Sequence, residues 1–192
     1  LKPLQCLWLP KPIRRPGLII RVRPCNPRSM TMTTPSPRYW LMKNEPDEYS
    51  IDHALAAPHQ TIPWDGVRNY QARNFMRDDM QVGDGVLYWH SSCAEPGIYG
   101  IARIAGHLRI DNSQFDPTSP YFDPKSDPDK PRWLTLDVQA LRKVGPIAVT
   151  ALRQYPELED MRVLQKGNRL SITPVDAHHW HFIMALIEDE RA

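Results

Sequence analysis

Val82-Gly83-Asp84-Gly85-Val86-Leu87-Tyr88-Trp89-His90, then Pro96-Gly97-Ile98-Tyr99-Gly100-Ile101-Ala102-Arg103-Ile104, is the stretch from which the fold class is read. The Gly-Asp-Gly turn opens into residues 86–90, largely of high β-propensity. Alternate residues of a strand share a face, so Tyr88 and His90 point the same way. Pro96-Gly97 punctuates the connection, and residues 98–104 are expected to return as the antiparallel partner. Toward the N-terminus, Tyr39-Trp40-Leu41-Met42 is a short apolar strand that should end in the polar turn Lys43-Asn44-Glu45-Pro46, where proline disfavours helical geometry in its predecessor. Ser50, with Asp52 following, can cap a helix over 51–57 that Pro58 closes. Residues 62–66, Ile-Pro-Trp-Asp-Gly, read as a loop. Asn69 can cap a helix over 70–77, in which Ala72, Phe75 and Met76 share one face.

Toward the C-terminus, residues 111–132 are polar and hold five prolines, which predicts an ordered loop. Residues 133–144 alternate Leu134, Leu136 and Val138 against Thr135, Asp137 and Gln139, the pattern of a half-buried strand. A short helix is expected near 150–154 and a last strand over 169–172. Thr173-Pro174-Val175-Asp176 reads as a cap with proline at the first helical position, starting a helix that runs to about residue 187. Five or six short strands, three or four helices and no βαβ periodicity indicate an α+β domain. A small mixed, largely antiparallel sheet or partly closed barrel with helices at its rim fits that pattern.

Composition divides the chain. Of 192 residues, 1–38 carry eight basic side chains, no acidic one and eight of the 20 prolines, whereas 39–192 carry 16 basic and 22 acidic, a formal −6. About 5% proline is ordinary, so the leader is not a core element; it is read as a disordered basic extension outside the domain. Met30 and Met32 stand just before the Thr/Pro/Ser linker, and residues 1 to about 30 are read as an upstream extension rather than an arm that wraps nucleic acid. The 154 residues that remain suffice for one domain, since chains of that size bury roughly 68–70% of their unfolded surface. The longest apolar run, residues 182–187, is far short of the ~18 to 20 needed to span a bilayer. Cys6, Cys25 and Cys93 make neither a disulfide framework nor a metal knuckle, and a reducing, cytoplasmic setting is expected.

Catalytic signatures are missing from the sequence: no phosphate-cradling glycine loop, no G-x-S-x-G and no H-E-x-x-H. His90 and Cys93 lie at an odd spacing, which puts them on opposite faces of a strand. His178-His179-Trp180-His181 offers two imidazoles three apart, a spacing that can hold a metal; with no third ligand in reach, a solvated helix face is the expectation. Glu157, Glu159 and Asp160 read as a solvated or capping cluster. No catalytic residue, metal or cofactor is therefore assigned.

Two tryptophans stand beside polar groups instead. Trp40 precedes Lys43 and Asn44; Trp64 precedes Asp65, Arg68 and Asn69. Such placements suit a pocket that stacks a flat ligand, a contact worth about 1 to 3 kcal/mol per base. Asp65 is a sensible acceptor for an exocyclic amine such as cytosine N4, and Asn44 or Asn69 can donate and accept. A plainer account stands beside this one: tryptophan in the core, Asp-Gly as a turn, Asn69 only a helix cap.

The segments YWLMKNEPDEYS from Tyr39, WDGVRNYQARNFMR from Trp64, VGDGVLYWHSSC from Val82, PGIYGIARI from Pro96, SPYFDPKSDPDKPRW from Ser119 and GNRLSITPV from Gly167 together resemble the EVE domain family. The resemblance covers residues 39–187 in order. It implies a PUA-like pseudo-barrel, related to the YTH and ASCH groups, with a pocket for a modified nucleobase, modified cytosine among the proposed ligands, and no established catalytic activity. Carried onto matching positions, the implied ligand-binding residues are Trp40, Lys43 and Asn44, then Trp64, Asp65, Arg68 and Asn69, then Tyr88, His90 and Ser91, with Arg169 supporting the floor. Asn44 departs from the serine common in the family and Trp89 from another aromatic.

The expectation is a non-enzymatic nucleic-acid reader, of DNA or RNA, in which a flipped or single-stranded base stacks on Trp40 or Trp64 while Arg68, the start of the following helix and Lys43 hold a phosphate. The competing class is an enzyme or binder acting on a small nucleoside-like planar metabolite, with Tyr88, His90 and Asp65 as acid/base groups.

Overall fold

The structure, a computed structural model, describes residues 38–189; the basic leader with Cys6 and Cys25, and residues 190–192, lie outside these. Eight strands are described: β1 Tyr39–Asn44, β2 Thr61–Pro63, β3 Gly85–His90, β4 Gly97–Ile104, β5 Arg109–Ile110, β6 Leu134–Thr135, β7 Asp137–Ala148 and β8 Ile172–Val175. The helices are α1 Pro46–Tyr49, α2 Ile51–Ala56, α3 Tyr70–Asn74, α4 Val149–Leu152 and α5 Ala177–Asp189.

Six strands form one sheet in the order β2-β7-β4-β3-β1-β8, while β5 and β6 make a separate pair. The hairpin expected from Pro96-Gly97 is present, with β3 antiparallel to β4 and Leu87 opposite Ile101. β1 and β3 run parallel, Tyr39 opposite Gly85 and Asn44 opposite His90. The other pairings are antiparallel. The sheet is therefore mixed and largely antiparallel, as expected, and open, with β2 and β8 as its edges.

Both faces are covered, which explains why 86–90 reads as a nearly continuous apolar run. Alternation sends Trp40, Met42, Val86 and Tyr88 into one cluster with Ile51, Trp64, Ala72 and Met76 from the N-terminal helices and loop. Leu41, Leu87 and Trp89 point into the opposite cluster with Leu152, Ile183 and Ile187. The expected caps form: Asn69 Oδ1 accepts from Gln71 N at 2.9 Å and Ala72 N at 3.1 Å. Ser50 Oγ accepts from His53 N at 3.1 Å. After Asn74 the helix widens into a π-helical turn, Phe75–Asp79.

Several boundaries differ from expectation, each for a local reason. β1 continues through Lys43 and Asn44 because both pair with β3 before Pro46 intervenes. Thr61–Pro63 is a strand rather than loop; it lies at the sheet edge, and Pro63 is its last residue, so the missing N–H is tolerated. The single strand expected over 133–144 breaks at Leu136, its first part pairing with β5 and the rest with β4 and β2. Thr135 is consequently buried, against the simple alternation, whereas the exposed Leu141 follows it onto the outward face. The last strand starts at Ile172, not Arg169, and Pro174 sits inside it opposite Trp40. β8 is an edge strand, so Pro174 is accommodated there and α5 begins only at Ala177.

Asp84, 4% exposed, closes the start of β1 onto the start of β3. Its carboxylate accepts from Trp40 Nε1 at 2.9 Å, Arg38 N at 3.0 Å and Gln81 N at 3.0 Å. Hydrogen bonds to a charged acceptor contribute more than neutral ones, and donors left unpaired in a buried site add their own penalty. Asp84→Ala is expected to lower unfolding free energy by about 2–3 kcal/mol in urea titration; Trp40→Phe, which leaves two of the three donors paired, should cost less.

Candidate functional site

The parallel pairing of β1 and β3 delivers the C-terminal ends of both strands to one rim of the sheet. There Ser91 N donates to Asn44 O at 2.9 Å and Lys43 N to Ser171 O at 2.7 Å, drawing three segments together. The exit of β2 joins them, anchored by Trp64 N donating to Leu136 O at 2.8 Å. The result is a cavity of about 770 Å³ whose walls include Lys43, Asn44, Glu48, Tyr49, Pro63, Trp64, Asp65, Gly66, Ser91, Tyr121, Arg169 and Ser171.

Each wall has an identifiable support. Trp64 packs edge-on against the buried Tyr88 ring, centroids 5.3 Å apart. Gly66 is held at φ +74°, and a Cβ placed there would come within 2.7 Å of the Tyr121 ring, so this position requires glycine on two counts. Asp111 pins the loop, accepting from Gly66 N at 3.1 Å and Arg68 Nη1 at 2.7 Å. Burial alone would raise its pKa; hydrogen bonds from Ser113, Arg68 and Gly66 outweigh this and hold the carboxyl below the ordinary range. Tyr121 reaches across to α1, its hydroxyl donating to Glu48 Oε1.

Of the residues singled out in the sequence, the structure gathers Lys43, Asn44, Trp64, Asp65, Ser91 and Arg169 around this cavity. Trp40, Arg68, Asn69, Tyr88 and His90 are not among its lining residues. Trp40 and Trp64 are both almost enclosed, 2% and 5% exposed, but Trp40 borders a separate cleft with Phe75 and Pro174, so the two tryptophans do not face one cavity. Arg68 is spent on structure: besides Asp111 it donates to Tyr121 O at 2.7 Å and Ser113 Oγ at 2.8 Å, which removes it as a phosphate ligand. Asn69 serves as the cap of α3. Tyr88 donates to Tyr49 O at 2.8 Å, and burial pushes its hydroxyl pKa up. His90 Nε2 accepts from Ile51 N at 3.0 Å, its ring stacks on Tyr99, and burial lowers its pKa. The acid/base trio Tyr88, His90 and Asp65 is thus not assembled around this cavity.

The groups that remain have a distinct electrostatic character. Asp65 is exposed, but into a cleft whose walls strip part of its hydration; this desolvation, and then the Asp111 charge, raise its pKa. Lys43 is half-buried and desolvation lowers its pKa. Neither the Lys43 ammonium nor the Arg169 guanidinium has an ion-pair partner among the described residues. Sequence reasoning missed Glu48, Tyr49, Gly66 and Tyr121. A signal for Tyr121 exists, because a polar stretch as long as 111–132 without regular structure is uncommon in a compact domain unless it builds a site.

A family model described as the EVE domain matches residues 38–186. The chain belongs to the EVE domain family. Human thymocyte nuclear protein 1 is 39% identical over 170 residues, covering 79% of this chain and 75% of that protein. A crystal structure of human THYN1 in complex with 5-methylcytosine containing DNA superposes with a TM-score of 0.74 at 38% identity, over 79% of this chain and 98% of that one. A Pseudomonas syringae protein of solved structure is 44% identical with a TM-score of 0.73, covering 77% and 98% of the two chains. The open mixed sheet of this EVE domain, with helices on both faces, is compatible with the pseudo-barrel the resemblance implied, without closing into a barrel.

Two substitutions probe this EVE site. Gly66→Ala forces a Cβ into the Tyr121 ring at a positive φ and should destabilise the fold measurably in thermal unfolding. Asp65→Asn should leave stability unchanged or raise it. A carboxyl whose folded pKa is raised contributes stability only below its unfolded pKa and loses it as pH rises through the folded value. At neutral pH the Asp65 charge therefore weighs against folding. A marked fall in stability at pH 7 on Asp65→Asn would contradict this electrostatic reading.

Proposed function

We propose that this EVE domain is a non-enzymatic nucleic-acid reader that takes a modified nucleobase, a modified cytosine in the first instance, into the cavity at the rim of β1 and β3. The observation that carries the reading is the convergence in one cavity of Trp64, the Asp65 carboxylate and the two cations Lys43 and Arg169. Trp64, with Tyr49 and Pro63, offers an apolar and aromatic wall to a planar base. Asp65 accepts from an exocyclic amine such as cytosine N4, and Asn44 and Ser91 can pair with the remaining base-edge groups. Lys43 and Arg169 neutralise the phosphate that accompanies the base. The solved relative with 5-methylcytosine containing DNA supports this assignment.

A base inside a duplex must first leave the stack, at a cost of a few kcal/mol, so single-stranded or distorted sites are favoured. DNA and RNA both supply such bases. The reducing, cytoplasmic setting rests on the cysteine usage alone; among the described residues, no helix is long and apolar enough to cross a membrane.

With only two cations positioned for phosphate, affinity depends weakly on salt: the slope of log K against log[salt] should be about −1.4 on single strands and about −1.8 on duplex. A much steeper slope would point to a broad basic surface instead. Titration of the chain with oligonucleotides carrying 5-methylcytosine or unmodified cytosine should show preference for the former, lost in Trp64→Ala. Equal binding by all four combinations removes the pocket reading. Because the ionised Asp65 carboxylate is a stronger acceptor than the protonated acid and its pKa is raised, binding should weaken as pH falls through that raised value, at a higher pH than for an ordinary aspartate. Asp65→Asn should abolish this pH dependence.

A further inference from the structure

The sequence draws attention to His178-His179-Trp180-His181; the pair three apart, His178 and His181, is exposed as expected, whereas the intervening His179 is buried. His179 is 1% exposed and its Nε2 lies 2.7 Å from Asp160 Oδ1. His178 Nε2 is 3.9 Å from the same oxygen, and the two imidazoles approach to 3.8 Å between centroids. One donor atom from each of Asp160, His178 and His179 falls within 4.8 Å of the other two. His181 turns elsewhere, edge-on to Tyr39 at 5.9 Å.

We propose that Asp160, His178 and His179 form a binding site for a divalent transition-metal cation of the zinc class. Imidazole nitrogen and carboxylate oxygen are the donor types such ions take, at about 2.0–2.2 Å. Tetrahedral ligands at that range stand roughly 3.3 Å apart, and the observed N···O separations of 2.7 and 3.9 Å bracket this value. The adjustment falls on the mobile partners: the Asp160 and His178 side chains are 70% and 61% exposed, whereas His179 is enclosed and acts as the fixed ligand. Behind its ring, Asp176 Oδ2 stands 4.0 Å from Nδ1. That distance is too long for a hydrogen bond, so Asp176 contributes only its charge. Asp160 and Asp176 together balance the charge of a dication, and the solvent side of Asp160 and His178 leaves a coordination position for water. The ion would fasten the segment after the turn Pro156–Leu158 to the start of α5, the helix that carries Ile183 and Ile187 into the core. None of these residues lines the base cavity, so this site stands independently of the reader assignment.

The test is calorimetric titration of the full chain with zinc chloride, its cysteines alkylated and without a histidine tag, and Co(II) absorption as a spectroscopic readout. The wild type should bind one equivalent saturably and gain thermal stability from it. His178→Ala and Asp160→Asn, both at exposed side chains, should lose about tenfold or more in metal affinity. His181→Ala should bind as the wild type. Absence of saturable binding by the wild type overturns the proposal, as does affinity unchanged in His178→Ala.

Discussion

The carboxylate of Asp111 is almost enclosed, with 2% side-chain exposure, and the site is arranged around it. It survives burial as an anion because Gly66 N–H, Arg68 and Ser113 all donate to it. Removing the Arg68 donors from this enclosed carboxylate costs about 1.5–3 kcal/mol, the range for a hydrogen bond to a charged group. That bond set fixes the loop after β2 against the long segment after β5. It thereby places Asp65 on one wall and seats the Tyr121 ring beneath Gly66. Arg68 is the side of this clamp that sequence chemistry would assign to phosphate. The geometry gives it to the protein instead, and leaves Lys43 and Arg169 as the cations facing the cavity.

The second requirement is topological. Parallel pairing of β1 with β3 brings Asn44 and Ser91 to the same end of the sheet, although they are far apart in sequence. An antiparallel arrangement of those two strands would put their ends at opposite rims and leave no common cavity. The β3–β4 hairpin, whose register Pro96-Gly97 helps set, provides the rigid floor on which that rim stands.

The hairpin, both helix caps and the mixed sheet were legible in the sequence because they depend on local chemistry: alternation, a capping side chain, a turn residue. What local pattern cannot carry is a partner distant in sequence. Trp40 and Trp64 look alike beside their polar neighbours and share one core cluster, yet strand alternation and Asp84 hold Trp40 beside a separate cleft while the loop after β2 sets Trp64 at the wall of the cavity. Asn69 satisfies its plain reading as a cap. Pro174 has the local pattern of a helix start because edge-strand status is a property of the whole sheet and not of four residues. Tyr121 and Glu48, 73 positions apart, meet only in the fold.

Charge separates this domain from proteins that hold nucleic acid by a basic surface. Residues 39–192 carry a formal −6, so recognition has to be concentrated where the cavity gathers its cations and its acceptor. In the proposed function, a base enters this cavity against Trp64 with its exocyclic amine on Asp65. The most direct measurement is a crystal structure of the chain with a single-stranded oligonucleotide containing 5-methylcytosine. The modified base is expected inside the cavity, N4 about 2.9 Å from an Asp65 oxygen and the flanking phosphate near Lys43 or Arg169. A base seated in the cleft beside Trp40, or an oligonucleotide bound with the cavity empty, would contradict it.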